Sequence, residues 1–210
     1  IILELQNISK TFTLPKSHLL DKREYKKALD SVSLKLAQGS VMGIVGESGS
    51  GKSTLGRIIV KLLTPNSGKI LYNGVDITSM SRKEFMPYRN DIQMIFQNAY
   101  SSLNPAKTIG WILKESLDIN TSLNEISKNN RVEEVMYLVG LRKGLKGRYP
   151  SELSGGERQR AVIGSSIMLN PKIIVADEAV SALDVSISAQ ILNLMNELKE
   201  KLNLSYIFIS

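Results

Sequence analysis

The chain contains no cysteine and a single histidine, His18. The first absence excludes a disulfide framework and any cysteine-based metal site, and agrees with a cytosolic protein. The second leaves a single imidazole, and its place in a polar, basic stretch marks His18 as a surface residue. Long hydrophobic runs are missing too: no apolar stretch approaches the length of a membrane span, and the N-terminus carries no signal-peptide pattern.

What is present is ordinary for a globular α/β protein. The 210 residues are 42% hydrophobic and 22% charged, enough for one substantial domain with room for an inserted subdomain. The net charge of +7 raises the question of an anionic membrane face or nucleic acid. Much of that charge lies in Lys16 to Lys27, Arg82 to Arg89 and Arg142 to Arg148, which read as loops or helix ends. Surface solvation therefore accounts for it first, a membrane face second and nucleic acid last.

The strongest local signal is Gly46-Glu47-Ser48-Gly49-Ser50-Gly51-Lys52-Ser53, a complete G-x-x-x-x-G-K-[ST] pattern. Glycines let such a loop wrap closely round phosphates, with successive N–H groups pointing inward as an anion nest. The run from Thr54 to Val60 would begin a helix whose N-terminal dipole adds to the attraction. Lys52 would reach the β- and γ-phosphates and Ser53 would ligate Mg²⁺. Ser40 to Val45 supplies the short apolar strand that should precede the loop.

The rest of the chain alternates strands and helices. Residues 1–12 and Leu29 to Leu36 read as half-buried strands, with Pro15 to Lys27 between them as a polar, solvent-exposed insertion. Lys69 to Tyr72 reads as a strand ending in an Asn73-Gly74 hairpin turn. Ile92 to Phe96 reads as a buried strand. From Asn98 to about Gly147 the apolar spacing is helical. Ser154 opens a helix that runs to Leu169 and halts at Asn170-Pro171. Ser186 to Leu202 is an amphipathic helix, and Ser205 to Ile209 a final strand. The apolar run Ile173 to Ala176, ending in Asp177-Glu178, has the form of a buried parallel strand with two carboxylates at its carboxyl end, where doubly wound sheets place ligands. Asp177 would hold Mg²⁺, and Glu178 would polarise an attacking water.

Leu153-Ser154-Gly155-Gly156-Glu157, Asp177-Glu178 and Ser181-Ala182-Leu183-Asp184, following the phosphate loop in this order, resemble the nucleotide-binding domain of ABC transporters. The resemblance implies a P-loop NTPase (RecA-like) α/β core with an N-terminal antiparallel β subdomain and an inserted helical subdomain. Residues 1–97 and 161–210 would form the core with its β subdomain, and residues 98–160 the helical part. It further implies an ATPase that uses ATP and Mg²⁺. Gly46 to Thr54 would hold the phosphates and Phe12 would stack on adenine, with Tyr25 a weaker candidate. Gln97 would meet Mg²⁺ and water. Ser154, Gly155, Gly156 and Glu157 would face the γ-phosphate of a second ATP-binding subunit, with Asp184 linking the two sites.

The stretches Gly46 to Leu55, Ile95 to Pro105 and Ser181 to Ser186 are similar to the oligopeptide, dipeptide and nickel importer branch. Ala179 stands where many members have proline, and a similar Glu-Ala-Val run occurs among nickel-importer ATPases, which hints at a metal or metal-chelate cargo. This branch implies transmembrane permease subunits and an extracytoplasmic solute-binding protein as partners, at the cytoplasmic face of the membrane. The alternatives are a soluble ATPase acting on nucleic acid or ribosomes, and an ATP-binding regulatory module of low activity. The family pattern also implies a histidine directly after the strand that Tyr206 to Ile209 resembles, and a further C-terminal segment. The chain stops at Ser210 without either, so the expectation is a truncated product or an incomplete piece of a longer chain, in which ATP binding survives while efficient hydrolysis is put in question.

Overall fold

Two four-stranded sheets divide the apolar residues between them. The computed structural model describes residues 1–13, 24–97, 99–181 and 183–210, with Ala99 and Tyr100 described by their backbone. His18, Asn98 and Ala182 lie outside the described residues. The strands are β1 (Leu3–Thr13), β2 (Tyr25–Leu36), β3 (Val41–Ile44), β4 (Ser67–Tyr72), β5 (Val75–Asp76), β6 (Ile92–Ile95), β7 (Ile173–Asp177) and β8 (Ser205–Ile209). The helices are α1 (Lys52–Ile59), α2 (Arg82–Arg89), α3 (Ala99–Ser102), α4 (Ile109–Asn120), α5 (Glu125–Leu138), α6 (Gly155–Ile167) and α7 (Val185–Leu202).

The first sheet is antiparallel, in the order β2-β1-β4-β5. Leu3 stands opposite Leu36 on one side and Tyr72 on the other, so buried apolar residues face one another across the ladder. Asn73 and Gly74 both have positive φ, 48° and 80°, the geometry that closes a two-residue hairpin between β4 and β5. β2 begins earlier than its apolar alternation suggests. Tyr25, Lys26 and Lys27, expected in an exposed insertion, pair with Thr13, Phe12 and Thr11. Their side chains are polar or exposed, so only the ladder betrays them as strand.

The second sheet is parallel, in the order β3-β8-β7-β6. Its side chains alternate between two cores, as a period of two requires. Ile173, Val175, Ile207 and Ile209 face α1 and the antiparallel sheet. Ile174, Ala176 and Tyr206 face the core built from α4, α5, α6 and α7. α1 lies against the first of these faces. A Cβ on Gly56 would come within 2.7 Å of Ile209 Cδ1 and 3.2 Å of Val175 Cγ1, so glycine is what lets this helix sit close to the sheet.

Among the helices, α6 runs without a break across residues 160 and 161, burying Ala161, Ile163 and Ile167. Asn170 then takes a left-handed turn, φ 54°, ahead of Pro171. The basic stretch Arg82 to Arg89, expected as loop or helix ends, is the helix α2. Ser81 and Glu84 cap it reciprocally: the Ser81 N–H donates to Glu84 Oε2 at 2.8 Å and the Glu84 N–H to Ser81 Oγ at 3.3 Å. Its interior Pro87 and lone buried side chain, Phe85, hide it from a periodicity search, whereas the capping box was readable.

Register decides where the site forms. Ile44 pairs with Ile209, Ile209 with Asp177, and Ala176 with Ile95. The carboxyl ends of all four parallel strands are therefore level. The loops that leave β3, β6 and β7 carry Gly46 to Gly51, Gln97 and Glu178 to one edge of the sheet.

Candidate functional site

From Ile44 the chain turns through seven residues into α1. Gly49 and Gly51 have φ of 80° and 96°, and a Cβ on Gly51 would lie 2.1 Å from the Ala28 carbonyl oxygen. Any other residue there would be both strained and blocked. The turn closes with the Ser50 N–H donating to the Glu47 carbonyl at 3.2 Å. Lys52 reaches back across the loop, its Nζ donating to the carbonyls of Gly46 at 2.5 Å and Glu47 at 2.8 Å. No side chain caps α1 and no acidic residue sits in its first turn. The first intrahelical donor is the Leu55 N–H, bonded to the Gly51 carbonyl at 2.9 Å, so the N–H groups of Lys52, Ser53 and Thr54 ahead of it have no acceptor within the helix, which makes an anion seat.

The end of β7 supplies the carboxylates. Asp177 is only 5% exposed, and Ser53 Oγ donates to its Oδ1 at 3.0 Å. Glu178 has a left-handed backbone, φ 47°, a conformation that costs a non-glycine residue about 1 kcal/mol or more. Neighbouring bonds fix it: its N–H donates to the Ile209 carbonyl at 2.9 Å, and its own carbonyl accepts from the Ser181 N–H at 3.1 Å and Ser181 Oγ at 3.0 Å. Two adjacent carboxylates thus serve different partners. Asp177 meets Ser53, while Glu178 Oε2 accepts from Gln97 Nε2 at 2.6 Å.

These groups open onto a cavity of about 400 Å³ lined by Phe12, Lys26, Ala28, Ser48, Gly49, Gly51 to Thr54, Gln97 and Glu178. Gly46, Glu47 and Ser50 frame the loop behind that lining, and Asp177 stands behind Ser53. Phe12 is the aromatic member of this lining, with Lys10 Nζ 5.5 Å from its ring centre. Tyr25 is 65% exposed and does not line the cavity. Lys26 and Ala28 do, and the sequence reading missed both. Lys26 stands opposite Phe12 in the β1–β2 ladder, so the signal that would have found it is the register of a hairpin whose connection is polar.

Ser154, Gly155, Gly156, Glu157 and Asp184 do not line this cavity. Ser154 caps α6 and Asp184 caps α7, with the Ile187 N–H donating to Asp184 Oδ1 at 2.9 Å. The two helix starts are adjacent. A Cβ on Gly155 would lie 3.7 Å from Leu183 Cδ2, and one on Gly156 3.1 Å from Ile187 Cγ2. Glu157 is held below the usual carboxylate range, first by the Ser154 N–H and hydroxyl and then by the Arg142 guanidinium.

A glycine-rich loop between strand and helix, level with two carboxylates at the end of a parallel strand one place removed in the same sheet, defines a P-loop NTPase fold. The family pattern for ABC transporters matches residues 29–181, and the chain belongs to that family. It is 47% identical, over all of its length and 64% of the relative's, to the oligopeptide transport ATP-binding protein AppF of Bacillus subtilis. It is 48% identical to the dipeptide transport ATP-binding protein DppF of Haemophilus influenzae, over 93% of this chain and 60% of that one. The chain thus spans less than two thirds of the length of these curated relatives. Among solved structures, it is similar to the ATP-binding cassette MJ0796 in a dimeric post-hydrolysis state bound to ADP and Pi. The TM-score is 0.83 at 28% identity, over 99% of this chain and 87% of that one.

Proposed function

We propose that this chain binds and hydrolyses ATP to drive an importer of peptides, with nickel or metal chelates as the related cargo. The observation that carries the reading is the convergence of Lys52, the Ser53–Asp177 pair and the Gln97–Glu178 pair at one sheet edge. The names of the similar peptide-transport proteins support the cargo class. Among the described residues no helix is long and apolar enough to cross a membrane, so work at the cytoplasmic face of a membrane would be done through permease partners. A solute-binding protein on the other side would then choose the cargo.

Mg²⁺ fits the residues present. Ser53 Oγ and the buried Asp177 carboxylate are hard oxygen donors already together, and Gln97 adds an amide oxygen at the rim. Among the described residues no three carboxylate, histidine or cysteine side chains cluster as a metal cage, which suits an ion shared with a nucleotide's phosphates. When bound, the ion neutralises charge on the phosphate oxygens.

The chain's own groups would do the remainder. Phe12 stacks on the base, and Lys52 turns from the Gly46 and Glu47 carbonyls to the β- and γ-phosphates. Gln97 holds Glu178 by Oε2, which leaves Oε1 to accept a proton from water. That water attacks the γ-phosphorus, the bridging P–O bond breaks, and ADP leaves with the electron pair. Ser154 to Glu157, remote from this cavity, would serve the γ-phosphate of a second cassette facing head to tail, a copy of this chain or a relative, with Asp184 alongside.

The test is to tag the Glu178→Gln form in its own cell, purify it in detergent with ATP and identify its companions by mass spectrometry. Permease subunits and a solute-binding protein are expected. Ribosomal proteins or nucleic acid, without a membrane subunit, would overturn the importer reading.

A further inference from the structure

The Ser154 hydroxyl, which head-to-tail closure needs as a donor, is already engaged. Ser154 Oγ donates to Glu157 Oε2 at 2.8 Å, the Ser154 N–H donates to the same oxygen at 2.9 Å, and Oγ accepts from the Glu157 N–H at 3.3 Å. These bonds keep the Glu157 carboxyl ionised well below neutral pH. Its negative charge sits over the first turn of α6. An arriving phosphate seeks the same hydroxyl proton and the same positive helix end. It therefore competes with Glu157 and is repelled by it.

Among the described residues, one cation is within ion-pairing reach of this carboxylate. Arg142 Nη2 lies 3.6 Å from Glu157 Oε1, the oxygen that Ser154 does not use. The Arg142 side chain is 85% exposed and that of Glu157 28%, so the arginine can follow the carboxylate outward while Ser154 stays fixed as the helix cap. In the free chain such an exposed pair contributes little. Once a partner surface excludes water, the same charges couple more strongly.

We propose that Arg142 is a positioning residue for the phosphate seat at the head of α6. As a partner's ATP arrives, Arg142 draws the Glu157 carboxylate off Ser154, cancels its charge and frees the hydroxyl to turn to the phosphate. No proton is transferred; Ser154 changes only the acceptor of its hydrogen bond. The inference rests on the head-to-tail reading above. Neither Arg142 nor Glu157 lines the chain's own cavity, so the pair acts on closure and not on loading of nucleotide.

The experiment is a double-mutant cycle on the ATP-bound pair. In the Glu178→Gln protein, self-association with Mg²⁺ and ATP is measured by analytical ultracentrifugation for Arg142 and Arg142→Ala, each with Glu157 or Glu157→Gln. Glutamine keeps the size of the side chain and an oxygen for the Ser154 N–H, without the charge. With Glu157 in place, Arg142→Ala is expected to weaken association roughly 3- to 10-fold while single-chain ATP affinity stays the same. In the Glu157→Gln background the same change should matter less than about twofold. An arginine that merely supports the local fold would cost the same in both backgrounds. That result, or no effect in either, would overturn the inference. If all four forms bind ATP but none associates, closure on a second copy is itself wrong, and the inference falls with it.

Discussion

The Gln97 side-chain amide donates to Glu178 Oε2 at 2.6 Å, joining the loops after β6 and β7 across 81 positions of sequence. One carboxylate oxygen is thereby held, in a side chain that lines the cavity. Parallel to it, Ser53 Oγ meets Asp177 Oδ1 at 3.0 Å. Two neighbouring acids are thus divided between two partners, one a hydroxyl of α1 and one the amide of the loop after β6.

Lys52 is expected to govern nucleotide affinity. Its ammonium now bridges the Gly46 and Glu47 carbonyls, which keeps it poised over the loop. Lys52→Ala removes a charge-assisted contact to phosphate and should weaken ATP binding about 10- to 100-fold. Titration with a fluorescent ATP analogue reads this directly, and unchanged affinity would remove Lys52 from the site.

Asp177 is expected to set the demand for Mg²⁺. Asp177→Asn keeps the shape but loses the charge beside Ser53, so half-maximal Mg²⁺ for nucleotide binding should rise about tenfold. Because the two residues are in contact, Ser53→Ala added to it should cost less than the sum of the single changes. A Mg²⁺ titration of each form checks both statements.

Acid should loosen the fold. Hydrogen bonds hold several carboxyls below their ordinary range: Asp76 through the Thr78 hydroxyl and N–H, Glu84 through the Ser81 cap, Glu152 through the Tyr149 N–H and then Arg148, and Glu157 through Ser154. A folded-state value below the unfolded one adds stability that is complete above the unfolded value and lost as pH falls through the folded one. The thermal midpoint should therefore be flat from pH 7 to about 5.5 and fall below about 4.5. A midpoint that rises on acidification would contradict these contacts.

Legibility in the sequence followed the chemistry of each residue. The phosphate loop stood out because only glycine tolerates the φ of 96° at Gly51 beneath the Ala28 carbonyl. β7 announced itself as a wholly buried run ending in two acids. Lys26 was hidden because its place in the cavity depends on cross-strand register with Phe12, which no local pattern encodes. α2 was hidden by Pro87 and by having a single buried side chain, Phe85, although its Ser81–Glu84 cap was in plain view. The left-handed backbone at Glu178 had no sequence mark at all; it follows from bonds to Ile209 and Ser181 that form only in the finished fold.

The most direct test of the Glu178 assignment is Glu178→Gln, measured for ATP binding and for phosphate release on the same preparation. The isosteric amide keeps the Gln97 neighbourhood but cannot take a proton from water. Binding should stay within about threefold and turnover should fall about 10²- to 10⁴-fold. Undiminished phosphate release would show that another group activates the water, and that the Gln97–Glu178 pair does not.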